Sequence, residues 1–291
     1  MSHILRSGLA GTWYPGDAAE LRAEVRGLLN AAPPPPPGDV AALIVPHAGY
    51  AYSGRTAAAA YRAVEGDAFD RVVLLGPSHR LPLADKAVVP RAHALRTLLG
   101  EAPLDEAAAE RLLARPGFAD VPAALPGEHS VEIQFPFLQT VLPGVPVLPV
   151  VVGRLSRPAV ERLARGIRPE LADRALLVVS TDFTHFGHAF GYVPFTDRVE
   201  ARLRTLDLGA FACLRKHDLD GFLGYLAETG ATICGSDPLA LLLALLQPGQ
   251  RVDLLGYTTS GRLTGDWTHT VSYLAAAVTG PWDGAPEEDP P

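Results

Sequence analysis

Three of the nine histidines stand at the ends of short apolar runs that are typical of buried strands. His47 ends the string ALIVPH, His79 ends the string VVLLGPSH, and His185 ends the string LLVVSTDFTH. Because ligands of open α/β sheets bind outside the carboxyl ends of the strands, we expect these imidazoles to converge there although they are distant in sequence. A cluster of imidazoles at strand ends favours a metal site or a proton-transfer site over three separate core histidines.

A cysteine with similar potential lies just ahead of a predicted apolar helix. Cys234 is part of the string TICGSDP. Amide donors and the positive end of the helix dipole would favour its thiolate, which is the form that binds a metal or attacks an electrophile. The alternative is a small, inert, buried side chain. Cys213, the other cysteine of the chain, is interpreted as structural.

Two carboxylates accompany the histidines. Asp182 lies three residues before His185, and Glu128 directly precedes His129 in the loop string EHS. A carboxylate beside an imidazole can serve in proton transfer, or it can hold a metal-binding ring in place from outside. Taken alone, the EHS string is more typical of an ordinary helix cap. These four residues are the candidate catalytic groups.

Two further strings lie close to predicted helix starts. The string PHAGYAYSG at residues 46–54 has backbone amides that could hold an anionic group, with Arg55 adjacent; the alternative is a turn that needs glycine for its dihedral angles. The string GTWYPGD at residues 11–17 places Trp13 and Tyr14 before the first helix, which we interpret as a hydrophobic staple.

The order of apolar and amphipathic segments predicts the fold. Short apolar runs alternate with alanine-rich and arginine-rich stretches, as in βα units around a mainly parallel sheet. Strands are predicted at residues 40–45, 72–75, 145–152, 176–180, 252–256 and 271–276, and helices at 17–30, 55–64, 105–114, 158–171, 197–211, 219–228 and 237–246. We expect a single α/β domain at residues 1–280, with a mainly parallel central sheet flanked by helices, and a fraying, acidic, proline-rich tail at 281–291.

Composition excludes several classes of protein. The chain has 291 residues, of which 48% are hydrophobic and 20% charged, so it can bury the core of one large globular domain. A net charge of −7 provides no general attraction for nucleic acid. Two cysteines make no disulfide framework, the first ten residues do not resemble a signal peptide, and no apolar run reaches membrane-spanning length. We therefore expect a cytoplasmic protein with no nucleic-acid or membrane partner.

Seven of the strings together resemble a known family. In order, GTWYP, PHAGY, LGPSH, EHSVE, STDFTH, ICG and VSY run from about residue 7 to 278 and resemble the Memo family, whose bacterial and archaeal members are called AmmeMemoRadiSam system protein B. The fold of that family is similar to that of the class III extradiol dioxygenases, the LigB-like enzymes that use non-haem iron(II). The resemblance therefore implies a single α/β domain of the same kind.

The resemblance also implies roles for particular residues. His47 and His79 match the metal-binding histidines of the Memo pattern, and Cys234 matches its third ligand position. Asp182 and His185 match residues that line the same pocket, with His185 at a place comparable to the base of the dioxygenases. The dioxygenases complete their ligand set with a carboxylate, whereas this chain offers a thiolate, which shifts metal preference towards copper(I), zinc or thiolate-bound iron.

Three functional hypotheses follow. The first is a metal-dependent, dioxygenase-like redox enzyme that holds one ion, with iron(II) favoured and copper or zinc as alternatives, and that takes a small-molecule or peptide ligand. The second is a non-catalytic module that binds an anionic or phosphorylated ligand. The third is a hydrolase in which Cys234 is a nucleophile paired with His185 and Asp182. The family name further implies work beside an AMMECR-type protein and a radical SAM enzyme.

Overall fold

The computed structural model describes residues 3–35, 38–172 and 174–282. Its strands are β1 (Ile4–Arg6), β2 (Val40–Val45), β3 (Arg71–Pro77), β4 (Ala87–Val88), β5 (Ala94–Thr97), β6 (Gly100–Pro103), β7 (Phe118–Ala119), β8 (Val147–Val152), β9 (Ala175–Ser180), β10 (His185–Gly187), β11 (Arg251–Thr259) and β12 (His269–Thr279). Its helices are α1 (Ala18–Ala31), α2 (Tyr50–Tyr61), α3 (Glu106–Leu113), α4 (His129–Glu132), α5 (Phe135–Val141), α6 (Arg157–Ile167), α7 (Val199–Arg215), α8 (Leu219–Thr229), α9 (Ser236–Leu245) and α10 (Ser260–Thr264).

Four parallel strands form the centre of the main sheet, in the order β2, β9, β3, β8. On one side β12 pairs antiparallel with β2, and both β11 and β10 pair antiparallel with β12. On the other side β4 runs antiparallel to β8 and parallel to β7. Strands β1, β5 and β6 form a separate small sheet. The predicted α/β class with a mainly parallel central sheet is confirmed.

Both faces of the central sheet are buried, because successive side chains of each strand enter different apolar cores. In β2, Ala42 and Ile44 lie in one core, while Leu43 and Val45 lie in the other. Helices α6, α7, α8 and α9 cover the first core, and α1, α2 and α5 cover the second. Burial on both faces explains why these strands are continuous apolar runs in the sequence. No helix in the described part of the chain is both long and apolar enough to span a membrane.

Most helix bounds differ from the prediction by one or two residues, and the largest differences are at the start of α2 and at the ends of α6 and α7. Helix α2 begins at Tyr50, ahead of the predicted start at residue 55, because the YAYSG string finds partners that its composition does not reveal. The Tyr50 hydroxyl donates to the Ile133 carbonyl at 2.8 Å, and the Ser53 hydroxyl donates to the Ala48 carbonyl at 2.8 Å. Helix α7 continues to Arg215, which places Cys213 within it.

The short strands β1, β4, β5, β6, β7 and β10 were not predicted. Each has two to four residues, which is too short for an alternating pattern to identify. The predicted fraying tail at 281–291 lies outside the described residues from 283 onwards. Of the two tail residues that the structure does describe, Trp282 is 8% exposed, and its indole donates to the Ala41 carbonyl at 3.2 Å. The chain is therefore anchored at Trp282.

Candidate metal centre

The parallel sheet brings two of the predicted ligands to one edge. His47 follows β2 and His79 follows β3, with β9 between these strands, and the two ring centroids are 5.2 Å apart. Cys234 lies just before α9, and its Sγ is 3.1 Å from His47 Nε2. One ligand atom from each of these residues lies within 4.8 Å of the others. Because metal–ligand bonds of about 2.0–2.3 Å place ligand atoms roughly 3–4 Å apart, small side-chain movements would close the three residues around one ion.

The His47 ring presents a lone pair to the centre of this cluster. Its Nδ1 is 3.0 Å from Ser180 Oγ, and Ser180 donates its hydroxyl proton to the Ser130 carbonyl. Since that carbonyl can only accept, the Ser180 oxygen accepts from His47 Nδ1–H. The Nε2 atom is therefore unprotonated and directed to Cys234. Burial, and then the neighbouring histidine rings, hold the pKa of His47 well below its ordinary value, which keeps the ring neutral.

The His79 ring is oriented by a buried carboxylate. Glu128 Oε1 accepts from His79 Nδ1 at 2.9 Å, and Glu128 Oε2 accepts from the His79 amide at 2.8 Å. Glu128 is fully buried; burial by itself raises the pKa of this carboxyl, but the hydrogen bonds from His79 and Ser130 outweigh burial and lower it. With Nδ1 occupied, Nε2 is the ring atom available to a metal. This carboxylate–histidine pair is the outer support that metal-binding histidines use.

The protonation state of the Cys234 side chain differs from the predicted thiolate. Burial raises the pKa of its thiol well above the ordinary value, and the Asp182 carboxyl raises it further. The Asp182 amide donates to Sγ at 3.2 Å, but this donation does not offset the loss of solvation. The expected thiolate at the helix start is therefore wrong for the metal-free chain. A protonated thiol is a poor nucleophile, which argues against the hydrolase hypothesis, and it becomes a ligand when a cation displaces its proton.

Metal affinity is accordingly expected to rise about tenfold per pH unit between about pH 6.5 and 8.5. The sign follows because the Cys234 thiol must lose a proton to bind, while the depressed pKa of His47 leaves that ring neutral already. Competition titrations with a chromophoric chelator at three pH values measure the slope, and calorimetry in two buffers counts the released protons. An affinity independent of pH would contradict a thiol-to-thiolate step.

Asp182 has a different partner from the one expected. Its Oδ1 accepts from the His47 amide at 2.8 Å, and the Ala48 amide also donates to this carboxyl. Burial raises the pKa of Asp182 to about 7. The amides of the PHAGY turn therefore hold an anionic group, as their pattern indicated, but that group is the chain's own carboxylate. Among the described residues Asp182 makes no hydrogen bond to the His185 ring, so the hypothesis that it orients this ring is wrong.

His129 and Trp13 form a wall beside the ligands. The His129 ring lies 4.3 Å from the His79 ring and 5.3 Å from the His47 ring, measured between centroids. Burial, and then the charge of His79, lower the pKa of His129 to about 4. Trp13 stacks on its other side at 4.5 Å. The string that we interpreted as a hydrophobic staple thus supplies a side chain at the site.

His185 lies near His47 and His129, since a proton on its ring would lower the pKa of both. It is not part of the three-ligand group. Its Nε2 is buried and finds no hydrogen-bond partner among the described residues. Burial, and then His79, lower the pKa of His185 to about 4, so its ring is neutral at pH 7. A neutral ring with an unpartnered buried nitrogen is suited to hydrogen-bond a small molecule that enters the site.

Residues that support the ligands were missed from the sequence. Gln134 donates to the Pro46 carbonyl at 3.1 Å and to Ser180 Oγ at 2.9 Å. Ser180 in turn accepts from His47, so these two polar side chains fix one ligand. Neither lies beside a ligand in sequence, and only the position of Ser180 at a predicted strand end gave a usable signal. Arg55, suggested as an anion partner, is exposed on α2.

Comparison with known proteins gives a consistent result. A family model described as Memo-like protein matches residues 6–277. A MEMO1 family protein of Thermococcus onnurineus is 31% identical over 281 residues, covering 92% of this chain and 96% of that protein. A MEMO1 family protein of Thermoplasma acidophilum is 32% identical over 277 residues, covering 93% and 97%. Protein MEMO1 of Danio rerio is 30% identical over 284 residues, covering 92% and 95%. With a family match that spans nearly all of the described fold and the metal-ligand cluster, this chain belongs to the Memo-like protein family.

Proposed function

We propose that the chain binds one metal ion through His47, His79 and Cys234 and uses it in a dioxygenase-like redox reaction on a small molecule. The observation that carries this proposal is the donor set itself: two oriented imidazoles and one thiol lie within 4.8 Å of one another at the carboxyl end of a parallel sheet. Iron(II) is the favoured ion, with copper and zinc as the alternatives that a thiolate ligand allows.

The number of protein ligands supports chemistry over a purely structural ion. Structural zinc sites are closed by four protein ligands, whereas catalytic sites keep positions open for substrate. Here the candidate group is His47, His79 and Cys234; a second candidate group among the described residues, His79, Glu128 and His129, shares His79 and already uses Glu128 as the hydrogen-bond partner of that ring. When bound, the ion supplies Lewis-acid or redox chemistry at the open positions.

The surrounding side chains of this chain have distinct tasks. Glu128 fixes the His79 ring, and Ser180 fixes the His47 ring. His129 and Trp13 form an aromatic wall that limits access of water. His185 keeps a neutral ring and an unpartnered Nε2, with which it exchanges a proton with the bound small molecule.

The role of His185 predicts a separation of binding from turnover. His185→Ala is expected to bind metal as the wild type does and to lose activity by about 100-fold or more, the scale of one proton-transfer group. Metal titration gives the affinity, and oxygen consumption with a panel of catechol-like and thiol compounds gives the activity. His217→Asn is the matched control, since asparagine tolerates the positive φ of 56° at that position. Loss of metal from His185→Ala would instead make His185 a ligand.

A further inference from the structure

A fully buried carboxylate on α7 contacts the segment that leads to His185. Asp207 Oδ1 accepts from the Thr184 amide at 3.1 Å and from the Thr184 hydroxyl at 2.6 Å. Asp207 Oδ2 accepts from the Tyr257 hydroxyl at 2.7 Å. Ser272 also donates to this carboxyl. Thr184 directly precedes His185 in the chain, so one carboxylate from a distant helix holds the residue next to the proposed proton-transfer group.

The donors to Asp207 are amide and hydroxyl groups, with no cation among its hydrogen-bond donors in the described residues. Burial raises the pKa of this carboxyl, which reflects the cost of removing it from water. A buried carboxylate is strongly destabilising unless its lone pairs accept hydrogen bonds. Four donors satisfy this carboxyl, and two of them, the Thr184 amide and hydroxyl, lose their acceptor if the Thr184 backbone moves away from α7.

The segment is held at neighbouring positions too. The Phe183 amide donates to the Ser272 carbonyl at 2.8 Å, and the Ser272 amide donates to the Thr184 carbonyl at 3.0 Å. Thr232 Oγ1 accepts from the His185 amide at 3.0 Å and donates to the His185 carbonyl at 2.6 Å. The backbone on both sides of the His185 ring is therefore fixed. The ring itself has an edge-on contact with Phe190 at 5.0 Å between centroids and no hydrogen bond at Nε2.

We infer that Asp207 is a positioning residue for His185: it fixes the Thr184 backbone and thereby the place and burial of the His185 ring. This inference deepens the proposed function and rests on it for the meaning of His185. The place and burial of the His185 ring can be measured without any turnover. Without the carboxylate, Thr184 loses the acceptor of both its amide and its hydroxyl. The His185 ring then depends on the remaining backbone contacts alone, because no hydrogen bond at Nε2 holds the ring in place.

The test is the state of the His185 ring in Asp207→Asn. Asparagine keeps the shape and one acceptor oxygen, but it removes the charge and places a donor beside the Tyr257 hydroxyl, which must then turn to accept. Long-range proton–nitrogen spectra of full-length ¹⁵N-labelled protein, metal-free and zinc-loaded, report each histidine ring. We expect the His185 signals to shift and its pKa to rise by about one unit towards the ordinary value, because a looser ring is better solvated. Metal content should stay at the wild-type level.

Glu170→Gln is the matched control. Glu170 is a carboxylate that is 1% exposed and accepts from Arg71 and Arg111, so its loss destabilises the fold without touching the His185 segment. The inference is overturned if His185 in Asp207→Asn has wild-type signals and pKa, or if Glu170→Gln changes them equally. Absence of metal in the wild type would overturn the proposed function, while the metal-free spectra would still decide the positioning role.

A second pair of variants covers the case in which Asp207→Asn does not fold. Thr184→Val and Tyr257→Phe each remove one hydroxyl donor to Asp207 and keep the side-chain shape. Both should shift the His185 signals in the same direction and by less than the loss of the carboxylate. Wild-type His185 signals in both variants would overturn the inference.

Discussion

Replacing Cys234 with serine is expected to lower metal affinity by more than about 100-fold, since loss of an outer partner alone costs up to about that factor and Cys234 is a direct ligand. The Sγ atom lies 3.1 Å from the unprotonated His47 Nε2, so both atoms face the same point. A serine hydroxyl at that point keeps its proton at neutral pH and offers a harder, weaker ligand. Chelator competition measures the affinity of wild type and variant.

Cys213→Ser is the matched control for this experiment. Cys213 lies within α7, and its Sγ donates to the Gly209 carbonyl at 3.8 Å, away from the ligand cluster. This variant should bind metal as tightly as the wild type. Equal affinities for wild type and Cys234→Ser would remove Cys234 from the ligand set, and a comparable loss in both variants would mean that a general defect was measured.

Gly235→Ala is expected to lower the free energy of unfolding by about 3 kcal/mol or more, at the upper end of the range for overpacked cores. A Cβ at residue 235 would stand 2.3 Å from Thr181 Cβ, 2.4 Å from Thr181 Oγ1 and 3.0 Å from the Ser180 carbonyl. Thr181 and Ser180 are fully buried and have no room to retreat. The backbone at 235 must therefore move, and it carries Cys234 with it.

Denaturant unfolding measures the stability of the variant, and chelator competition measures its metal affinity. Both should fall in parallel. Gly27→Ala in α1 and Gly224→Ala in α8 are matched controls, since a Cβ meets nothing within 4 Å at either position. Alanine in a helix interior should stabilise these variants by about 0.5–1 kcal/mol. A Gly235→Ala protein with wild-type stability would contradict the close approach of the Cys234 and Thr181 segments.

The centre of the fold was predictable because its parallel strands are buried on both faces. The strand at Val40–Val45 has the predicted bounds, and the strand at Ala175–Ser180 differs by one residue. Continuous apolar runs of this kind have few alternatives in an α/β chain. Two- to four-residue strands at the sheet margins carry too little pattern, and their positions depend on pairing between distant segments.

The convergence of His47 and His79 was predictable from one topological rule, because ligands of parallel sheets gather at the carboxyl ends of the strands. The strand order was not predictable, and β9 proved to separate their two strands. The tautomers depend on Ser180 and Glu128, whose hydrogen bonds join residues far apart in the chain. Such partners are visible only in the folded structure.

The protonation state of Cys234 could not be obtained from its local sequence. The start of α9 favours a thiolate, but burial opposes it more strongly, and burial is set by the packing of Asp182 and Thr181 around the sulfur. The same limit applies to Trp13, which local spacing assigned to a helix start. Its position on the His129 ring depends on the contact of the N-terminal segment with the start of α2, where the Tyr50 amide donates to the Trp13 carbonyl at 2.9 Å.

The metal content of the protein is the decisive measurement for the His47–His79–Cys234 centre. Full-length wild type should be purified anaerobically without a histidine tag and analysed for iron, copper and zinc beside His47→Ala and His79→Ala. We predict close to one metal ion per wild-type chain, and none in either variant, because both rings are oriented towards one point by fixed partners. A wild type that is metal-free and cannot be loaded with any of the three ions would contradict the proposed centre, and so would variants that keep a full complement of metal.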